Sequence, residues 1–459
     1  MALFGFGSVE EVLTYLTAIM CGISMLLPVN AVFSAPLYIM HYYEYVMQDS
    51  TATPEYTNFW DNSMTYYILV CLVVSLVVEP LTLTPKFRQI PLQVRMLSAL
   101  GFLWVEIILL MVVPAVGSTE IGAITTLVVA GAISGSGKSI FESTAYGLFS
   151  AFPSRYMAAL MGGAGVAGAL TSLLQITVKG ALDEDYEGTR TQSKIFYGLM
   201  VGIQGVTFIM LVLLNWNSYA CQFTGSLSGK KDDTRESDDA VDVDDTRDAE
   251  NPHTGATEPN AEEVTEGERD QSQVVVTPPA SEVAKPSQML SKTDVFGVFK
   301  IVYPMTIACA FNFFITLMLF PTVVVSVDPD DYWYGTIAVF IFNVTDVFGR
   351  FAPSFEFMWP PRWAVIASSF GRVIFLPLLL LASYHYIPGH AFGYVMMVLF
   401  GLSNGYIGAL TLVLGPLTEG ITTSGQRFVA GTMLGISILV GGALGTALSI
   451  MIQSVRTDQ

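Results

Sequence analysis

Charged side chains are scarce in this sequence. They make up 13% of its 459 residues, about half the roughly 25% of an ordinary soluble domain. Hydrophobic residues reach 52% and the mean hydropathy is +0.54, which excludes a soluble globular body. Cysteine is scarce too: Cys21, Cys71, Cys221 and Cys309 are scattered, three of them in apolar segments. They form neither a disulfide framework nor a metal-ligand cluster. The four histidines, His41, His253, His385 and His390, fall in predicted loops or at their edges, so no buried histidine relay is expected. No Ser/His/Asp or metal-binding constellation is present, which argues against an enzyme, and no metal or cofactor is expected. A net charge of −18 argues against nucleic acid as a partner, which would require a basic patch. The first ten residues contain no Lys or Arg, and the first apolar run is long, so it reads as a first helix and not a cleaved signal peptide.

What the chain has is long apolar runs. A spanning helix needs about 20 mostly apolar residues, and eleven runs qualify. They lie at Val12–Tyr38, Ser63–Leu83, Val94–Val116, Glu120–Ser150, Ser154–Leu182, Gln192–Trp216, Val295–Val327, Tyr332–Ala352, Ala364–Ser383, His390–Leu417 and Gln426–Val455. The fold class is therefore an all-α polytopic membrane protein, with the lipid bilayer as its solvent. His41–Asn62 reads as a polar, aromatic loop between the first two spans. Tyr219–Ser291 is acidic and Pro/Thr-rich. Between Cys221 and Leu290, 17 Asp or Glu stand against 6 Lys or Arg, a net −11. Such a stretch cannot bury enough apolar surface to offset its ordering entropy, and disorder is expected. The expected organisation is a six-helix bundle over 1–218, the acidic loop over 219–292 and a five-helix bundle over 293–459, a 6+5 arrangement. Basic residues orient the chain: Lys86, Arg88, Arg95, Arg155, Arg362 and Arg427 gather in the loops after even-numbered spans. The opposite loops carry Arg190 and Lys194 among Asp183, Glu184, Asp185 and Glu187. The N-terminus and acidic loop are thus expected in the cytoplasm and the C-terminus outside.

Two pairs of ionisable residues interrupt the apolar runs. Asp346 and Arg350 in Phe342-Asn343-Val344-Thr345-Asp346-Val347-Phe348-Gly349-Arg350, and Lys138 and Glu142 in the fourth span, are each four residues apart. On a helix each pair shares one face about a turn apart. An ionised residue in the membrane is expensive unless it is paired or faces a water-filled cavity, so such residues mark pathways. A structural ion pair, or an Arg350 that snorkels to the interface, accounts equally well for one pair alone; the second pair of the same spacing favours a pathway. Glu79, Glu106 and Arg372 are further charges in apolar segments, readable as interfacial or structural, and receive no role. Ala132–Ser139 (AISGSGKS) matches a loose phosphate-binding-loop pattern but lies mid-span without a preceding strand, so it is a chance match. Asn343-Val344-Thr345 is a formal glycosylation sequon within the membrane. Gly162–Gly168 (GGAGVAG) is a small-residue face suited to close helix packing.

These motifs resemble the equilibrative nucleoside transporters. Leu27-Pro28-Val29-Asn30 is similar to that family's Pro-Trp-Asn motif, with Val29 where Trp is common. Phe152-Pro153-Ser154-Arg155-Tyr156 resembles its fourth-to-fifth junction. Phe342-Asn343 with Asp346 and Gly349-Arg350 resembles its eighth-helix signature, and Ser403-Asn404-Gly405-Tyr406 with Gly415-Pro416 its tenth helix. The resemblance implies a major-facilitator-like fold whose two bundles rock about a central site, and a substrate that is a purine nucleoside or nucleobase. It implies that Asp346 and Arg350 hydrogen-bond the substrate, with Asn343 in the same signature. Asn30 and Phe33 would line the cavity, and Leu69 and Leu72 would form an apolar wall. Glu142 stands where relatives carry a Gln that contacts the base, and Lys138 supports it. A carboxylate there only accepts hydrogen bonds, which suits the N–H donors of purines. The chain looks most like the protozoan, purine-salvaging branch at the plasma membrane. Some members of that branch couple transport to protons, and Glu142 and Asp346 are the titratable candidates here. The alternative is a facilitator of another small polar metabolite, such as a sugar, on the same architecture. A receptor would share the hydropathy, and a channel would add a polar lining ring.

Overall fold

The computed structural model describes residues 6–183, 185–224, 293–325, 327–328, 331, 333–384, 386–387 and 390–457. Of the acidic stretch 219–292, expected to be disordered, the first residues belong to a short helix, Ser218–Thr224, while 225–292 lie outside the described residues, as do His253 and His385. Among the described residues, eleven helices are long and apolar enough to cross a membrane. We label them α1 (Val9–Phe33), α2 (Ser63–Leu81), α3 (Leu92–Val116), α4 (Glu120–Ser150), α5 (Ser154–Ala181) and α6 (Tyr186–Leu214). They continue as α7 (Val295–Leu319), α8 (Tyr334–Phe351), α9 (Arg362–Ser383), α10 (His390–Leu414) and α11 (Ser424–Thr457).

Capping chemistry sets several starts. Ser8, Thr119 and Asp185 each accept a hydrogen bond from a first-turn N–H of α1, α4 and α6. The Asp185 cap starts α6 six residues before the expected Gln192, because an N-cap pulls polar residues into a first turn that hydropathy alone assigns to a loop. The first span is shorter than expected. α1 ends at Phe33, and Pro36 opens a separate short helix, Pro36–Met40, because proline is preorganised for a helix start but cannot donate inside one. α9 is interrupted by a 3-10 turn at Arg372–Ile374. Pro377, four residues after Val373, denies the Val373 carbonyl its helical partner.

The predicted loop His41–Asn62 is a packed cap. Tyr42, Tyr43, Tyr45, Val46 and Trp60 are buried. The Glu120 carboxylate at the head of α4 accepts from the Glu55 and Tyr56 N–H groups and from Trp60 Nε1 at 2.8–3.0 Å. Its aromatics find a core that the polar residues around them conceal in the sequence.

The dominant helix pairs are α1 with α5, α3 and α2 with α4, and α1 with α6 in the first six helices, and α7 with α11 and α8 with α10 in the last five. The two groups meet along α5–α8 and α4–α11. The glycine-rich face of α5 makes the first of these seams. Added β-carbons on Gly162, Gly165 and Gly168 would fall within 2.4–2.9 Å of Phe351, Arg350 and Asn343 of α8. Three glycines three residues apart let the eighth helix lie against backbone.

Candidate functional site

The inward face of α8 carries Tyr334, Ala338, Phe342, Asp346, Gly349 and Arg350, the one-turn repeat of a helix with a single buried side. Asp346 and Arg350 are 4% and 7% exposed, and Arg350 Nε donates to Asp346 Oδ2 at 2.5 Å. That burial excludes the snorkelling reading. α10 approaches so closely here that an added β-carbon on Gly405 would lie 2.1 Å from the Asp346 carbonyl oxygen. The approach brings Asn404 Nδ2 to 2.7 Å from Asp346 Oδ1, to which it donates. Both carboxylate oxygens are therefore engaged, with lone pairs to spare. The terminal amino groups of Arg350 are in no hydrogen bond among the described residues. Asn343, two turns before Arg350 and on the same side of α8, packs on the α5 seam and donates to Ser172 Oγ at 2.5 Å. Its sequon is a helix contact.

On α4 the second predicted pair closes on itself. Lys138 Nζ stands 3.1 Å from Glu142 Oε2, and Tyr146 donates from its hydroxyl to Glu142 Oε1 at 3.1 Å. The AISGSGKS stretch is mid-helix, as its chance match to a phosphate loop requires. Among the described residues, neither charged pair forms an ion pair with the other. Tyr146, which binds Glu142, lies against Gly435 of α11 in the other group of helices.

The remaining predicted residues are spread more widely. Asn30 is half-buried on α1, two residues after Pro28. Phe33 ends that helix, and its side chain lies outside the described residues. Leu72 is half-buried on α2, whereas Leu69 is 51% exposed, on one stripe with Tyr66, Val73 and Val77. The buried stripe of α2 is Ser63, Tyr67, Ser75 and Glu79, nearly opposite, so the packing of α2 on α4 does not enclose Leu69.

Three charges without a predicted role prove to be deep inside. Glu79, Glu106 and Arg372 are 1%, 0% and 2% exposed, so all three are packed among other helices and none extends to solvent. Glu106 of α3 accepts from the Tyr67 hydroxyl of α2. Glu79 lies under Gly435 of α11, beside Tyr146. Arg372 of α9 donates to Asn312 Oδ1 at 2.7 Å and Thr316 Oγ1 at 2.8 Å, both on α7. Arg95, counted in the sequence as a loop charge, lies inside α3 and is 2% exposed. Its guanidinium sits 5.4 Å from the Phe428 ring of α11 and 5.5 Å from that of Phe87. In the sequence the only trace of these residues is a charge in an apolar run, with nothing local to name its partner.

A family model described as nucleoside transporter matches residues 128–454. The chain is 54% identical over 464 residues to nucleoside transporter 1.1 of Leishmania donovani, covering 97% of this chain and 94% of that one. It is 48% identical over 476 residues to adenosine transporter 1 of Crithidia fasciculata, with coverage of 97% and 94%. Among solved structures it is similar to the major facilitator proton:xylose symporter XylE, with a TM-score of 0.59 at 11% identity over 97% of this chain and 89% of that one. A bacterial homologue of the iron transporter ferroportin in its outward-facing state gives a TM-score of 0.55 at 11% identity, covering 97% and 93%. At such identities the structural likeness speaks for the fold, which is major-facilitator-like.

Proposed function

This chain belongs to the equilibrative nucleoside transporter family, is a multi-pass membrane transporter and not an enzyme, and on that premise we propose that it carries purine nucleosides by alternating access at the plasma membrane. The observation that carries the reading is the buried Asp346–Arg350 pair, whose partners leave both residues with unused hydrogen-bonding capacity. Arg350 offers its terminal N–H fork and Asp346 its remaining lone pairs, which together match a ribose diol or a base edge. From the other bundle, Glu142 supplies an acceptor for a purine N–H, and Lys138 and Tyr146 hold it in place. Asn30 and Leu72 are assigned to the walls of the same path. In this reading α1–α6 and α7–α11 are the two moving bodies, with the N-terminus and the acidic loop in the cytoplasm and the C-terminus outside.

The α4–α11 seam supports a cytoplasmic closure. The Phe428 ring fills the space over Gly147, within 2.5–2.8 Å of an added β-carbon there, and lies beside Arg95. One turn on, Thr432 Oγ1 donates to the Ser143 carbonyl at 3.2 Å. With the N-terminus in the cytoplasm these are the inner ends of both helices, so closing them faces the site outward. Phe428→Ala removes the ring that only the closed seam packs, and a phenylalanine truncation in a core costs about 3–5 kcal/mol. The population therefore shifts toward the inward-open form. A cysteine placed at Ser143 should be alkylated at least about tenfold faster in Phe428→Ala than with Phe428 intact; equal rates would remove Phe428 from the closure.

Substrate class is tested by competing radiolabelled inosine and hypoxanthine uptake against purines and pyrimidines, at two external pH values, in cells lacking purine carriers. Saturable uptake inhibited by purine nucleosides is expected. Competition by free bases alone would make the substrate a nucleobase. Uptake that rises as external pH falls would add proton coupling, with Glu142 and Asp346 the carboxylates to examine. No saturable uptake of either label would favour a facilitator of another polar metabolite.

A further inference from the structure

Arg372 is buried on α9, a helix that contributes none of the residues predicted for the site, and among the described residues it has no carboxylate within salt-bridge distance. Its donors go to neutral acceptors instead. Nη1 gives to Asn312 Oδ1 and Thr316 Oγ1, Nη2 to the Phe400 carbonyl at 3.4 Å, and Nε to Ser403 Oγ at 3.3 Å, with the guanidinium 4.7 Å from the Phe400 ring. A buried guanidinium is costly unless its charge is answered, and here the answer arrives through two amides, Asn312 and Asn404, the second of which Nη1 also reaches directly at 3.4 Å. Asn312 Nδ2 donates to Asn404 Oδ1 at 3.2 Å, and Asn404 Nδ2 donates to Asp346 Oδ1 at 2.7 Å.

The direction of this chain is dictated by its ends. Arg has donors and no acceptor, and a carboxylate has acceptors and no donor. With Arg372 at one end, Asn312 must turn its oxygen to Arg372 and its nitrogen to Asn404. Asn404 must then turn its oxygen to Asn312, Arg372 and the Thr316 hydroxyl, all of which donate to it, and its nitrogen to Asp346. Flipping either amide sets donor against donor at one contact and acceptor against acceptor at another, in a buried site where unmatched polar groups are expensive. We propose that Arg372 is a positioning residue for the binding carboxylate: it polarises the Asn312–Asn404 chain so that an N–H always meets Asp346 Oδ1, leaving Oδ2 and the Arg350 fork aligned for substrate. α9 thereby acts on the site without touching it. The inference builds on the nucleoside-transport reading for its uptake assay, and its network can be tested without any substrate.

The experiment is a double-mutant cycle on the full chain, with surface density measured for every variant. Arg372→Met should raise the apparent KM for inosine by about tenfold or more, the size of losing a buried charged partner's alignment. Arg372→Lys, which keeps a donor-only cation but loses the planar fork and its place over Phe400, should be impaired less than Met. Because Arg372 acts through Asn404, Arg372→Met should add little in an Asn404→Leu background. The same cycle is read as the thermal midpoint of the purified protein without substrate, where the two substitutions should again be less than additive. An unchanged KM with only fewer molecules at the surface, a Lys variant as impaired as Met, or additive effects in both readouts would overturn the proposal. If the wild-type protein takes up no nucleoside, the transport reading falls, and the thermal cycle alone decides whether Arg372 and Asn404 are coupled.

Discussion

Asp346→Asn is expected to lower nucleoside uptake at least about 100-fold while surface density stays within about twofold of wild type, a ratio set by the worth of charge-assisted hydrogen bonds. Asparagine has the same shape but one acceptor oxygen, and two donors already converge on Asp346: Arg350 Nε and Asn404 Nδ2. One of them loses its partner, and the new NH2 faces donors. Arg350 and Arg372 would also remain buried with no anion in their network, a situation that ordinarily costs about 3–5 kcal/mol. That cost makes the density control essential, because an unfolded variant would mimic a transport defect. Asp346→Glu keeps the charge and both acceptors but displaces them by one methylene, so it should fold better than Asn and still bind poorly. Kinetics of labelled inosine uptake, normalised to surface-biotinylated protein, check both. Near-normal transport in Asp346→Asn would remove this residue from the site.

Gly163→Leu should abolish folded protein at the cell surface. The α1–α5 pair is built on reciprocal glycines. A β-carbon on Gly163 would lie 2.1 Å from the Ile19 carbonyl oxygen, and one on Gly22 would lie 1.9 Å from that of Leu160. The obstacle in each case is backbone, which cannot rotate away as a side chain does, so the helices must separate. Overpacking a core with side-chain freedom costs about 1–3 kcal/mol; here the cost exceeds that range and approaches the whole stability of many proteins. Separation would also move α5 against α8, disturbing the seam where Gly165 meets Arg350. Gly198→Ala on α6 is the control: nothing lies within 4 Å of its added β-carbon. It should be neutral or stabilise by about 0.5–1 kcal/mol through helix propensity. Surface labelling and thermal melts of the two variants side by side read the contrast, and a well-expressed, active Gly163→Leu would contradict the packing account.

The reach of local information explains which parts of the site were legible. Asp346 with Arg350 and Lys138 with Glu142 are i, i+4 pairs, and the helix itself brings them together, so their spacing in the chain was enough. The small-residue run of α5 could be read as a close-packing face, since a glycine stripe has few other uses in a membrane helix. Arg95 was legible only as a positive charge for orientation. Nothing in Val94-Arg95-Met96 indicates that Phe428, more than three hundred residues later, lies against its guanidinium. Leu69 and Leu72 illustrate another limit. In a soluble helix, polarity marks the outward face, but in a bilayer the lipid is as apolar as the protein interior, so hydropathy could not say which leucine of α2 turns outward.

The sequence by itself determined the eleven membrane helices and the family, because helix length against bilayer thickness and motif order are properties of the chain read along its length. It also determined the two in-helix charge pairs. Only the tertiary structure decided what those pairs answer to: the chain from Arg372 through Asn312 and Asn404 to Asp346, the wedge of Phe428 over Gly147, and the burial of Glu79 and Glu106. A buried charge announces in sequence that it needs a partner. The partner comes from whichever helix packs alongside, and that choice is made by glycine-permitted backbone approaches between segments distant in the chain.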